Sequence, residues 1–245
     1  MRLDKIIRNS GATIVEGSGS IDISSICSDS RKVTAGSAFV AVKGFASDGH
    51  DYIPMALGKG ARVIVYEDQY RFDSLGLHPE QTEGAVFVKT DSARHTLAIM
   101  AANFYDNPSE KLSLVGITGT NGKTTTVTLL HRMFTSMGYS CGLLSTIANY
   151  VGNKGTEAVN TTSDPITINS LLNEMVKAGC EYCFMEVSSI GVEQERIAGL
   201  KYKAAIFSNL THDHLDYHKT FAEYLRCKKL YFDNLDKDTV AIENS

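Results

Sequence analysis

Apolar residues in this chain come in short blocks separated by stretches with helical spacing. Residues 112–117 (Leu112, Ser113, Leu114, Val115, Gly116, Ile117) form a brief, mostly apolar run suited to a strand buried on both faces. Similar runs at 38–42, 61–66, 85–88, 141–146, 182–187, 204–209 and 240–242 predict further strands, and Ile21-Asp22-Ile23 alternates like one. Between them the period changes. Residues 53–57 read as a short helix ended by Gly58 and Gly60, and Leu97, Met100, Ala101 and Phe104 define a helix over 91–105, stopped by Asp106-Asn107-Pro108. Val127, Leu130, Phe134 and Met137 carry a helix from about Thr124 to Gly138. Ile168, Leu171, Leu172, Met175 and Val176 form a stripe at i, i+3, i+4 spacing, which is core packing, and a last helix covers 220–235. Residues 149–160 are a polar excursion or hairpin. This alternation predicts an α/β protein with mostly parallel sheets. It divides near 88–91 into a small unit, 1–88, and a larger one, 89–245, to which the 91–105 helix is assigned.

Composition adds bounds. A chain of 245 residues suits one large or two modest domains, and 43% hydrophobic with 21% charged residues is ordinary for a globular protein. A net charge of −4 gives no general reason to expect nucleic acid or an anionic membrane as partner. No apolar run approaches a membrane span, and Met1-Arg2-Leu3-Asp4-Lys5 lacks the apolar segment of a signal peptide. The five cysteines are odd in number and scattered, which favours a reducing cytoplasm over a disulfide framework. Cys180-x-x-Cys183 suggests zinc or redox chemistry, but no second pair exists and Cys183 falls in an apolar strand, so a buried thiol is the better reading.

The chemistry centres on Thr118-Gly119-Thr120-Asn121-Gly122-Lys123-Thr124-Thr125, a glycine-punctuated loop between a predicted strand and a predicted helix. This is the layout of a phosphate-binding loop of the ATP type. Backbone N–H groups wrap phosphate oxygens, Lys123 bridges the terminal phosphates, and the Thr124 hydroxyl ligates Mg²⁺. The generic pattern places glycine five positions before Gly122, where Ile117 stands, so the loop is a compressed variant. Glu186, at the C-terminal end of its predicted strand, is placed to hold a metal ion directly or through water. His212, His214 and His218 invite a zinc reading, but the intervening Asp213 and Asp216 suit a harder ion, which makes one histidine on Mg²⁺ the better assignment. Ser28-Asp29-Ser30-Arg31 and Lys43-Gly44 with Asp48-Gly49-His50-Asp51 are turn formers or ligand contacts; physics alone leaves both readings open.

Together the motifs T-G-T-N-G-K-T-T, N-T-T-x-D-P, M-E-V-S-S and N-L-T-x-D-H-L-D-Y-H, followed by Tyr224 and Lys228, resemble the Mur ligase family. Within it they look most like the members that add the third residue of the peptidoglycan stem. Ser28–Arg31, Phe39–Gly44 and Asp48–His50 are similar to that family's uridine-nucleotide domain. The resemblance covers the whole chain. It implies a small N-terminal α/β uridine-nucleotide domain and a partial P-loop mononucleotide-binding α/β domain with a mostly parallel sheet. It also implies an ATP- and Mg²⁺-dependent reaction in which UDP-MurNAc-L-Ala-D-Glu is activated as an acyl phosphate and joined to a diamino acid, diaminopimelate or lysine. By matching position, Gly119, Thr120, Asn121, Gly122, Lys123, Thr124 and Thr125 would bind ATP. Thr124, Glu186, His214 and a carbamylated Lys228 would hold Mg²⁺. Lys123, His214 and Lys228 would act in catalysis. Ser28, Ser30, Arg31, Thr161, Thr162, Ser188, Gln194 and Arg196 would grip the UDP-MurNAc-peptide, with Arg196 suited to a carboxylate.

Two departures qualify the match. Ile190 stands where the family usually has histidine after Glu186-Val187-Ser188-Ser189. The family also continues past the position of Ser245, through the rest of the central domain and an amino-acid-binding domain. The expectation is therefore a truncated, non-turnover form whose central sheet ends in an unpaired apolar edge. A folylpolyglutamate-synthetase-like ligase shares the ATP domain but has no uridine-nucleotide domain ahead of the loop, and a non-catalytic nucleotide-binding fragment is the remaining alternative.

Overall fold

The computed structural model describes residues 1–45, 47–211 and 215–244, without the side chains of Leu215 and Asp216. It divides into two units, Met1–Phe104 and Tyr105–Ser245. The first contains β1 (Thr13–Glu16), β2 (Ser25–Cys27), β3 (Ser37–Val40), β4 (Val63–Tyr66) and β5 (Val86–Lys89), with helices α1 (Leu3–Ile6), α2 (Ile53–Gly58), α3 (Gln69–Ser74), α4 (Pro79–Thr82) and α5 (Ala93–Phe104). Its sheet order is β1-β5-β4-β3-β2, parallel except for β1. All four positions of β3 and of β4 are buried, as their unbroken apolar runs require. The expected strand at 21–23 does not form. Asp22 makes only an isolated bridge with Arg2, and the strand lies instead at Ser25–Cys27.

Helix α5 belongs to this first unit, not to the second. Buried Leu97, Met100 and Ala101 supply its apolar face. The polar anchors reach back to the N-terminus: Thr96 Oγ1 donates to Ser10 O at 3.1 Å, and Asn103 Nδ2 donates to Ile6 O and Arg8 O at 2.9 and 2.7 Å. The division between units therefore falls after Phe104 rather than near 88–91.

The second unit holds β6 (Ser113–Thr118), α6 (Lys123–Ser136), β7 (Cys141–Leu144), β8 (Ala148–Val151), β9 (Lys154–Glu157), α7 (Pro165–Lys177), β10 (Tyr182–Glu186), α8 (Ser189–Glu193), β11 (Ala204–Phe207), α9 (Leu215–His218), α10 (Phe221–Asp233) and β12 (Val240–Glu243). The sheet order is β12-β11-β6-β10-β7-β8-β9; the first five are parallel, and the polar stretch after β7 forms an antiparallel hairpin. The α7 stripe is core, as its spacing predicts: Ile168, Leu172 and Met175 pack with Leu114, Cys183 and Met185. Strand β12 forms one edge, with Val240 and Ile242 about half exposed. All five cysteines are free and buried, and burial pushes the Cys183 thiol pKa up, in keeping with an inert buried thiol.

Two glycines show how tightly the helices sit on this sheet. A Cβ on Gly116 in β6 would overlap the Tyr231 hydroxyl from α10 and come within 2.7 Å of the Tyr202 ring. For one on Gly142 in β7 the three nearest atoms all belong to the flexible Met175 side chain. Gly116→Ala is therefore expected to cost about 1–3 kcal/mol, and Gly142→Ala clearly less. Urea midpoints of the two variants check the order; equal losses would mean that the aromatic wall yields as readily as methionine.

Candidate functional site

The loop after β6 is built as its residue types demand. Gly122, at φ +83°, opens α6 in a conformation that favours glycine. At Gly119 a Cβ would overlap Ser208 Oγ beyond the end of β11, so glycine alone lets the two backbones approach. The loop is clamped from that side. Thr120 N donates to Asn209 O at 2.9 Å, Asn121 N to Asn209 Oδ1 at 2.9 Å, and Ser208 Oγ to Asn121 O at 2.9 Å. The buried Thr120 hydroxyl pairs with Tyr224 Oη at 3.0 Å.

Opposite the loop stands Glu186, fully buried at the end of β10. Its Oε2 accepts from Thr124 Oγ1 at 3.0 Å and Thr146 Oγ1 at 3.2 Å, and its Oε1 from Thr146 N at 2.8 Å. Thr120, Asn121, Gly122, Lys123, Thr124, Thr146, Thr161, Glu186, Ser188, Ser189 and Lys228 enclose a cavity of about 260 Å³ at the C-terminal ends of β6, β7 and β10. Lys123 Nζ donates to Gly119 O and Thr120 O, each at 2.8 Å. Lys228, only 2% exposed, sends Nζ to the same Gly119 carbonyl at 2.8 Å and over the Tyr224 ring at 4.7 Å. Lys228 thus lines the cavity, although it is followed in α10 by the exposed Lys229.

The oxygen donors fit a hard cation. Octahedral Mg²⁺ with arms of about 2.0–2.1 Å holds adjacent ligands about 2.9 Å apart, close to the Thr124 Oγ1–Glu186 Oε2 separation of 3.0 Å. Lys228 as an ammonium is the wrong charge for that set; only its carbamate would join it. His212, Asp213 and His214 lie outside the described residues, as does the side chain of Asp216.

The remaining expected contacts separate into two groups. Thr161 and Ser188 line the cavity, whereas Thr162, Gln194 and Arg196 brace its wall and Thr125 sits exposed on the first turn of α6. Thr162 Oγ1 donates to Glu186 O and accepts from Ser188 N, both at 3.0 Å. Arg196 donates to Thr162 O at 2.6 Å and to Gln194 Oε1 at 2.7 Å. Sequence reading missed Thr146 and Ser189. Thr146 closes a predicted strand at its C-terminal end, so the strand-end rule that found Glu186 applied to it as well. Ile190, where a histidine was expected, is half-buried in α8.

In the first unit Ser28, Asp29, Ser30, Arg31, Gly44, Gly49, Tyr52 and Met55 are among the residues around a second cavity, of about 540 Å³. Hydrogen bonds from Arg31 hold the Asp29 carboxyl down at about 2, while Arg31 itself is largely exposed. Gly49 is obligatory, since a Cβ there would lie 2.6 Å from Val42 N and O. His50 is buried scaffold: Nδ1 pairs with Asp48 Oδ1 at 2.6 Å, and Nε2 accepts from Glu67 N and Asp68 N at 3.3 and 3.2 Å.

A glycine loop between a parallel strand and a helix, facing a strand-end carboxylate, defines the second unit as a mononucleotide-binding α/β domain. The family comparisons specify which. Residues 117–245 match the Mur ligase middle domain, and residues 22–105 match a model described as the Mur ligase family, catalytic domain. The chain belongs to the Mur ligase family. It is 49% identical over 245 residues to the UDP-N-acetylmuramoyl-L-alanyl-D-glutamate–2,6-diaminopimelate ligase of Cytophaga hutchinsonii, covering all of this chain and 49% of the relative. Among solved structures it resembles another ligase of that name, with a TM-score of 0.78 at 25% identity over 100% of this chain and 47% of the other. It also resembles the MurF ligase of Thermotoga maritima in complex with ADP, with a TM-score of 0.57 at 25% identity over 89% and 45%. The chain spans about half the length of the curated relatives it matches. Among the described residues no helix is long and apolar enough to cross a membrane.

Burial by itself would raise the Asp48 pKa, but hydrogen bonds from His50 and the nearby Arg71 charge outweigh it, and the net shift is downward. A folded-state value below the unfolded one stabilises fully above about pH 4 and is lost as pH falls further. Asp48→Asn should therefore be less stable than wild type at pH 7, with the gap narrowing below pH ~4. Thermal midpoints at the two pH values test this, and a gap that stays constant would count against it.

Proposed function

We propose that this chain supplies the uridine-nucleotide and ATP/Mg²⁺ sites of a cytoplasmic ligase that joins a diamino acid to UDP-MurNAc-L-Ala-D-Glu. The carrying observation is the cavity in which Thr120–Thr124, Glu186 and Lys228 converge. Of the two diamino acids, the names of the relatives support diaminopimelate. The γ-phosphoryl group of ATP passes to the substrate carboxylate, breaking its bond to ADP and forming an acyl phosphate. The amine then attacks the acyl carbon, phosphate leaves, and the amine proton is lost as the amide forms.

The loop N–H groups and the start of α6 bind the phosphates. Lys123, now satisfied by two loop carbonyls, turns to the phosphate oxygens. Thr124 and Glu186 would hold Mg²⁺, with His214 and the carbamate of Lys228 completing two metal sites. When bound, Mg²⁺ neutralises charge on the transferring phosphoryl group. Thr161 and Ser188 offer hydroxyls to the activated end of the substrate, held by the Thr162–Arg196–Gln194 brace. The cavity around Ser28, Ser30 and Arg31 takes the uridine diphosphate, with Arg31 as its exposed cation.

Calorimetric titration of the 245-residue chain with Mg²⁺ and a non-hydrolysable ATP analogue, and separately with UDP-MurNAc-L-Ala-D-Glu, tests the assignment. Lys123→Ala should weaken the ATP analogue by about 10–100-fold and leave the uridine ligand unaffected; Arg31→Ala should do the reverse. A folded chain that binds neither ligand would overturn the proposal.

A further inference from the structure

Behind the wall of the phosphate cavity lies a cluster that the ligase chemistry does not use. Glu193 ends α8, His218 ends α9, and Cys227 sits in the middle of α10. One ligand atom from each lies within 4.8 Å of the other two. His218 and Cys227 are buried, Glu193 is exposed, and none of the three lines the phosphate cavity.

We propose that Glu193, His218 and Cys227 form a binding site for a divalent ion of the zinc class. The donor set is the first reason. Thiolate, imidazole and carboxylate together suit Zn²⁺ or Co²⁺ and are a poor match for Mg²⁺ or Ca²⁺, which take oxygen ligands. The second is preorganisation. Ser189 Oγ lies 2.8 Å from His218 Nε2, an outer hydrogen bond that would hold the ring with Nδ1 as the ligand atom. The ring is also held edge-on by Tyr217 and lies 5.3 Å from that of Tyr224. The third is spacing. Tetrahedral zinc with arms of about 2.0–2.3 Å sets its ligands roughly 3.3–3.8 Å apart, so a trio whose ligand atoms all lie within 4.8 Å of one another has about an ångström to close at its widest. Glu223, one turn before Cys227 on the same face of α10, lies 3.8 Å from Sγ but is engaged by Arg226, so the fourth position falls to water.

On binding, the Cys227 S–H bond breaks, a sulfur–metal bond forms, and the proton leaves to solvent. Occupancy would tie α8 to α10, and through His218 would reach Ser189, which faces the phosphate cavity. The site does not rest on the ligase reading, because no substrate or nucleotide enters into it.

The test is to titrate the chelator-treated 245-residue chain with Co²⁺ alone, then with Zn²⁺ as competitor, following the thiolate-to-cobalt charge-transfer band. One equivalent is expected, displaced by Zn²⁺, with the band lost in Cys227→Ser and retained in Cys180→Ser. Glu193→Gln alters an exposed position and should keep the fold while weakening Co²⁺ by at least about tenfold. Absence of the band from wild type that is folded by near-ultraviolet circular dichroism would overturn the proposal. So would a band that survives Cys227→Ser, or a Glu193→Gln affinity equal to wild type.

Discussion

A buried carboxylate with a full set of hydrogen bonds is the constraint on which the second unit depends. Glu186 comes from β10, Thr124 from the start of α6, and Thr146 from the turn after β7, so one side chain joins three consecutive strand–helix segments at the carboxyl end of the sheet. A buried charge is tolerated only when its lone pairs are met. Here the donors that meet them are two threonine hydroxyls and a backbone amide. The arrangement aligns the phosphate loop with the strand that faces it, and Thr162 takes up the Glu186 carbonyl to extend the order into the wall.

The two lysines obey a related economy. Lys123 and Lys228 converge on one carbonyl, Gly119 O, which sits where glycine allows the loop to lie against the end of β11. Two cations near one acceptor repel each other unless anionic charge enters between them, which is why the same geometry suits a phosphate chain. Carbamylation of Lys228 would remove one of the two charges and supply an oxygen donor instead.

Much of this was legible in the sequence, for reasons that can be named. Strands inside a parallel sheet are contiguous apolar runs, so β3, β4, β6, β10 and β11 were visible, and the glycine loop followed from one of them. Strand β1, four residues and mostly exposed at an edge, and β2, only three residues long, carry too little pattern to read. The allegiance of α5 was hidden because periodicity locates a helix face but not what it packs against; hydrogen bonds to Ile6, Arg8 and Ser10 decided it. Among the expected site residues, Thr120 to Thr124 of the loop and Glu186 come together around one cavity. Thr146 and Ser189 were missed because a lone hydroxyl acquires meaning only from what the fold places beside it. Thr162, Gln194 and Arg196 were expected to grip substrate, and their described bonds brace the wall.

The loop lysine also bears on how a ligand arrives. Because Lys123 already holds two carbonyl oxygens at 2.8 Å, phosphate entry is a trade of partners rather than a gain of new ones. The loop's backbone, clamped by Asn209 and Ser208, can stay as it is while a single side chain swings across. A side-chain swing is a smaller motion than a collective loop closure. In the proposed complex, selectivity would rest in how well an incoming anion replaces those two carbonyls.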